Sequence, residues 1–300
     1  LRLASNVGEA AHVPGIEFRS AASLSCAAMA ALFTRGYEGY LTPVSVGAAE
    51  FDNMVLTSDL DLEASCVGFE NGFEVAFALL GVRGTRGWVG GMGVIPEARG
   101  RQHGRLVMEK LIAAARQRGI AVLDLEVLEH NLHAARIYEA LGFRDRRWLD
   151  VWVRDPGALA TASDVSRAAA TDGPMELPVE DCLARHEAFH SSRLPWQREL
   201  ASLRHWAPRL SAVGVRGARG LSGWVLYRDP GERLNIADLA AAPGESIERV
   251  VNALAGLIAA RPASTTMLVN LPDDDAFSGA MRGLGAQIRL RQREMTLALD

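Results

Sequence analysis

An order of strand-like and helix-like segments that occurs twice, shifted by roughly 145 residues, constrains this chain more than any other feature of it. In the first copy, GIEFRS and a helix through SLSCAAMAALF precede a hairpin, CVGFENGFEVAFALLGVRG, that turns at Asn71-Gly72, and then the strand WVGGMGVIP. From Arg101 a helix follows in which Met108, Leu111, Ile112 and Ala115 share one face and Gly119 ends the run. AVLDLEVLE sets Leu123, Leu125 and Val127 on one side and Asp124 and Glu126 on the other, so it reads as a strand. Asn131 is placed to cap a helix with Ala134, Ile137, Tyr138 and Leu141 on a common face, Gly142 ends it, and FRDRRWLDVWVRD supplies the last strands.

The second copy keeps the order. AVGVRG and LSGWVLYRD pair as a hairpin, LNIADLAAAP precedes the helix SIERVVNALAGLIAARP, and TTMLVNLP precedes a helix ending in Leu284-Gly285-Ala286, where the first copy has Leu141-Gly142-Phe143. The chain is therefore read as two α/β units, residues 1–153 and 174–300, joined by a linker at 154–173 whose small and polar residues are bounded by Asp-Pro and Asp-Gly-Pro turn signals.

Composition narrows the partners. A formal charge of −4 lacks the basic field that nucleic-acid binding needs, so no nucleic acid is expected. No run reaches the ~18 apolar residues of a membrane span, and no membrane partner is expected. Cys26, Cys66 and Cys182 are widely spaced and unpaired by any C-x-x-C, which argues for a reducing cytoplasmic setting and against both a disulfide framework and a cysteine metal cluster.

The segment GMGVIPEARGRQHGRLVMEKL, residues 91–111, carries the chemistry. A strand ends at Pro96, a turn rich in Arg and Gly follows, and a helix begins, so backbone N–H groups and the positive end of a helix dipole converge where an anion can sit. Arg99, Arg101 and Arg105 add cationic donors, and Gly100 and Gly104 let a ligand approach the backbone.

V-I-P-E-A-R-G, then H-G-R-L, then L-E-V-L-E-H-N-L-H-A-A-R-I-Y-E-A-L-G-F resembles the paired acetyl-CoA motifs of the GNAT acyl-CoA N-acetyltransferase superfamily. Asn131, Ala134, Tyr138, Gly142 and Phe143 match its N-x-x-A-x-x-x-Y-x-x-x-G-F spacing throughout. In the first motif, R/Q-x-x-G-x-G/A, Arg99 and Gly104 match while Gln102 stands where a glycine is expected. Either its backbone N–H still points at the pyrophosphate with the side chain turned outward, or coenzyme affinity is lowered.

The resemblance implies a tandem fold of two GNAT-like units, each a mixed, mostly antiparallel central sheet flanked by helices. It implies acetyl-CoA as cosubstrate and direct transfer to the primary amine of a small molecule. Coenzyme contacts fall on Met92, Gly93, Val94, Arg99, Gly100, Arg101, Gln102, His103, Gly104, Arg105 and Asn131, with the Val94 N–H polarising the thioester carbonyl. Tyr138 is the implied acid for the leaving thiolate. Glu126, on the strand beside the acyl site, is the candidate base; a salt-bridged Glu would occupy the same position. Tyr37, Glu38 and Tyr40 lie in the loop that walls the acceptor pocket of such enzymes. No metal is expected there, and either a monomer or a homodimer is compatible with a tandem chain.

In the second copy, APGESIERVV stands where IPEARGRQHG stands in the first, with Glu245 and Glu248 in place of donors. Met281 aligns with the acid position and Asp274 with the capping Asn131. A non-catalytic copy that packs on the first or walls its cleft is expected. Two rival functions remain: a domain that binds acetyl-CoA and acts only as a sensor, and a zinc hydrolase built on His186-Glu187-Ala188-Phe189-His190, which fits H-E-x-x-H but lacks an obvious third ligand, Glu199 being the nearest offer.

Overall fold

A computed structural model of the chain describes residues 15–40, 44–158, 175–218 and 220–299. Most of the proposed linker, and residues 41–43 of the loop after the first helix, lie outside the described residues. Contacts divide the chain into two compact units, one of residues up to Asn53, 60–80 and 89–119, the other of residues 54–59, 81–88 and everything from Ile120. No helix among the described residues is long and apolar enough to cross a membrane.

The first unit is built on β1 (Glu17–Ser20), β2 (Cys66–Glu70), β3 (Phe73–Arg83) up to residue 80 and β4 (Arg86–Val94) from residue 89, neighbours in that order, with β1–β2 and β2–β3 antiparallel. The expected hairpin turns at Asn71 and Gly72, with φ of 52° and 83°. This double left-handed turn matches the twist of the strands that it joins. Helix α1 (Cys26–Gly36) starts where Ser25 Oγ accepts from the Ala28 N–H, and α2 is Ala48–Thr57. Helix α3 (His103–Gln117) buries Met108, Leu111, Ile112 and Ala115, the face predicted from its periodicity, and Gly119 closes it at φ 71°.

The second unit holds β5 (Val122–Leu128), α4 (Leu132–Ala140), β6 (Arg144–Arg154), β7 (Met175–Leu177), the short helices α5 (Val179–Leu183), α6 (His186–Phe189) and α7 (Leu200–Trp206), and β8 (Ser211–Gly217). There follow β9 (Gly220–Arg228), β10 (Arg233–Ala241), α8 (Glu248–Ala259), β11 (Thr265–Pro272), α9 (Phe277–Gly283) and β12 (Gln287–Ala298). The strands run β5-β12-β6-β11-β10-β9-β8-β7, antiparallel except for β10 beside β11. Arg86–Trp88, at the start of β4, pair in parallel with Val122–Asp124 of β5.

This order interleaves the two sequence repeats. The last strand of the second repeat, β12, pairs with β5 of the first, and β6, the last strand of the first, pairs with β11 of the second. FRDRRWLDVWVRD is one eleven-residue strand rather than several, because β6 is flanked along its length by β12 and β11. Trp152 on β6 is buried with Leu268 and Leu271 of β11, Val250 and Leu254 of α8, and Met281 of α9.

Candidate functional site

Strand β4 leads into the Arg/Gly-rich loop at 99–105 through a 3-10 turn at Pro96–Ala98. Its approach is fixed from below. A Cβ on Gly93 would lie 2.6 Å from the Phe77 ring and 3.0 Å from Gly36 Cα, so the end of α1 rests directly on the strand. Tyr37, the residue after α1, stacks near Phe33 and Phe77 and hydrogen-bonds the Met92 backbone; burial pushes its phenol above the ordinary range. Tyr40 meets Tyr37 edge-on at 5.2 Å. The proposed acceptor-wall residues Tyr37, Glu38 and Tyr40 are thus gathered beside β4.

The loop itself has two left-handed residues, Gly100 at φ 78° and Gln102 at φ 63°. Gln102 therefore adopts the backbone conformation that a glycine would take there, with its side chain exposed. It precedes α3 without capping it, since no side chain accepts from the first turn. The first helical carbonyl acceptor serves Leu106, so the N–H groups of His103, Gly104 and Arg105 have no partner from the helix ladder. Alternation of right- and left-handed residues before such a helix end makes a concave anion seat.

The arginines of the loop have partners within the protein. Arg99 donates to three carbonyls, Val94 at 3.0 Å, Gly36 at 3.2 Å and Glu38 at 2.6 Å, and so ties the end of α1 to the end of β4. Arg101 pairs with Glu70 at 2.6 Å and Arg105 with Glu109 at 2.8 Å. Both are exposed pairs of the kind that contribute little to stability and exchange readily. His103 is buried, 3.6 Å from Glu70. The donors that the helix ladder leaves over in this loop are backbone N–H groups.

In the second unit, Asn131 Oδ1 accepts from the Ala134 N–H at 3.2 Å, the cap read from the sequence, so this oxygen is already engaged by α4. Tyr138 is buried on α4 with its ring against Phe143. His130 and His133 are exposed. Cys66 and Cys182 are buried, and burial pushes both thiols up to about 12, which leaves neither as a nucleophile at neutral pH.

Glu126 lies in the most perturbed environment. Burial, first, and the carboxylates of Glu294 and Asp124 push its pKa up to about 8, against the hydrogen bonds of Trp88 and Gln197. Trp88 Nε1 donates to its Oε2 at 2.7 Å. Glu294 is directly opposite Glu126 in the β5–β12 ladder. Its own charge is taken up by Arg147 at 2.6 Å and Arg146 at 3.3 Å. A half-buried carboxyl held near neutrality can take and release a proton at physiological pH.

Residues 31–143 match the family described as Acetyltransferase (GNAT) family. The fold extends the likeness to nearly the whole chain. A GCN5-related N-acetyltransferase from Sphaerobacter thermophilus superposes with a TM-score of 0.68 at 15% identity, covering 95% of this chain and 96% of that one. A tandem GNAT protein from the clavulanic acid biosynthesis pathway gives 0.67 at 15%, over 95% and 99%. A putative acetyltransferase from Pyrococcus horikoshii gives 0.63 at 13%, over 98% and 92%. The sequence has no significant match among curated proteins.

In this tandem GNAT fold, the second repeat's counterpart of the coenzyme loop is closed by its own residues. Ser246 Oγ accepts from the Glu248 N–H at 3.2 Å, and Glu248 puts a negative charge in the first turn of α8. Met281 is core, 1% exposed. Before α9, Asp275 Oδ1 accepts from the Phe277 N–H at 2.9 Å.

Sequence reasoning missed Trp88, Gln197 and Glu294, which set the state of Glu126. It also missed the segment around Trp196, whose ring stacks on Trp88 at 5.8 Å and lies under Arg83 at 4.0 Å. Arg83 and Arg86 pair with Glu199 at 2.9 and 2.7 Å. The one available signal was the unusual density of charged and aromatic residues in RLPWQRE, which has no period.

Proposed function

We propose that this GNAT protein is an acetyl-CoA-dependent N-acetyltransferase that acts on the primary amine of a small molecule by direct transfer. The observation that carries the reading is the loop at 99–105: two left-handed residues followed by an uncapped helix start, within a segment that matches the acetyltransferase family. Backbone donors of that kind suit a pyrophosphate, with Arg101 and Arg105 free to trade their surface carboxylates for phosphate oxygens.

Acetyl-CoA supplies a thioester whose acyl carbon is open to attack. The roles left to the chain are three. The Val94 N–H polarises the thioester carbonyl as negative charge develops there. Glu126, ionised in part at neutral pH, takes one proton from the acceptor's ammonium and so frees the lone pair that attacks; as the C–N bond forms and the C–S bond breaks, Tyr138 gives its proton to the departing sulfur and regains one from the new amide nitrogen. Arg99 and Tyr37 position β4 by holding its end against α1. The sensor reading has no use for a carboxyl tuned close to neutrality, and direct transfer is preferred for that reason.

Release of free thiol from acetyl-CoA in the presence of a panel of small amines, polyamines, amino sugars and peptides tests the proposal. Amine-dependent release with a mass increase of one acetyl group on the acceptor supports it. Coenzyme binding without release on any amine would leave the sensor reading in its place.

A further inference from the structure

His186 and His190 bracket α6, and a third donor reaches them from β10. One ligand atom each from His186, His190 and Asp238 lie within 4.8 Å of one another. His190 Nε2 is 3.1 Å from Asp238 Oδ2, and the two imidazole rings are 4.5 Å apart. Asp238 is fully buried and His186 is 4% exposed.

Each donor is presented as a ligand would be. His186 hydrogen-bonds the Arg198 backbone, while its Nε2 has no hydrogen-bond partner among the described residues. A carbonyl can only accept, so the proton sits on Nδ1 and the Nε2 lone pair is left bare, the tautomer typical of a metal-bound histidine. Asp238 is fully buried, with polar partners on both carboxylate oxygens. Its Oδ1 accepts from Arg198 at 3.2 Å, and its Oδ2 accepts from Trp224 Nε1 at 2.9 Å and faces His190 Nε2 at 3.1 Å.

The cluster borders an open cavity of about 530 Å³ that is also lined by Glu187, Ser191, Arg193 and Arg204. We propose that His186 Nε2, His190 and Asp238 Oδ2 form a three-ligand site for a divalent transition-metal ion of the zinc type, its fourth position open to this cavity. Two imidazoles and one carboxylate suit zinc, cobalt or nickel rather than calcium or magnesium, which prefer all-oxygen shells. Tetrahedral zinc places its donor atoms roughly 3.3 Å apart, so loading brings together the donor atoms that now lie within 4.8 Å of one another, by side-chain torsions of His190 at the open end of α6. Arg198 shares Asp238 with the ion, which sets the expected affinity in the micromolar rather than the nanomolar range. The third ligand that H-E-x-x-H lacked in sequence comes from a residue 48 positions beyond His190.

The full chain, stripped of metal with a chelator, is dialysed against Zn²⁺ or Co²⁺ and its bound metal counted by mass spectrometry. About one equivalent, with the intense visible bands of four-coordinate Co²⁺, is expected. His186→Gln removes no hydrogen bond at Nε2 and should fold; its binding, and that of His190→Gln, should fall at least about tenfold with melting behaviour retained. No uptake by the wild type, six-coordinate Co²⁺ spectra, or equal uptake by both variants would overturn the proposal.

Discussion

Replacing Glu294 by glutamine should lower the pKa of Glu126 and move the acidic limb of the activity profile to lower pH. The two carboxylates are cross-strand partners, and such pairs hold their charges roughly 6 Å apart; at an effective dielectric of about 20 the repulsion is ~2.8 kcal/mol, or about two pKa units. Arg146 and Arg147 neutralise much of Glu294 in the wild type and remain behind in the variant, so loss of the anion unmasks their charge rather than removing it. The expected fall is about one to two units, from a starting value of about 8. The sign follows from the charge: removing a neighbouring anion favours ionised Glu126, so the base is competent at lower pH. The assay is kcat/KM against pH for wild type and E294Q, with Trp88 fluorescence as an independent reporter of the same carboxyl. Because two arginines lose a buried partner, the variant is expected to be less stable by about 3 kcal/mol and is assayed well below its melting temperature. The same raised pKa makes Glu126 a stabilising group at low pH whose contribution is lost as pH rises toward its folded value. An acidic limb that stays in place in E294Q, while Glu126→Gln abolishes it, would refute the tuning argument.

Two further outcomes follow from the loop and from α4. Gln102→Gly relieves a left-handed non-glycine residue and should raise stability by about 1 kcal/mol in denaturant unfolding, with acetyl-CoA bound as tightly or more so; a destabilised variant would mean that the Gln102 side chain has a role of its own. Tyr138→Phe keeps the ring that packs on Phe143 and removes only the hydroxyl; it should lower kcat by about 10²–10⁴-fold with coenzyme affinity unchanged, and unaltered turnover would reject Tyr138 as the acid.

What the sequence made legible follows local physics. Helix α3 could be read from its apolar face and its closing glycine, α4 from Asn131, and the β2–β3 hairpin from Asn71-Gly72, because caps and turns depend on residues within a few positions of one another. The partner of β5 could not. Alternation shows that Leu123, Leu125 and Val127 share a face, but not that β12, some 170 positions away, lies alongside and sets Glu294 against Glu126. The polar face of β5 is likewise not a solvated one: Asp124 is 3% exposed, paired with Arg193 and Arg86. The partners of the loop arginines were not legible either, since a guanidinium satisfies nearby carbonyls as readily as a ligand's phosphates, and Arg99 does so three times over.

The seat for the coenzyme diphosphate at the start of α3 is tested most directly by calorimetric titration of acetyl-CoA into wild type and Gly104→Glu. A carboxylate in the first turn favours the helix dipole, so the fold is retained, while the added charge opposes an anion at the same N–H groups. Saturable binding at one site in the wild type, and at least about tenfold weaker binding in the variant with an unchanged melting temperature, is the predicted result; equal binding in both proteins, or no binding in the wild type, would contradict it.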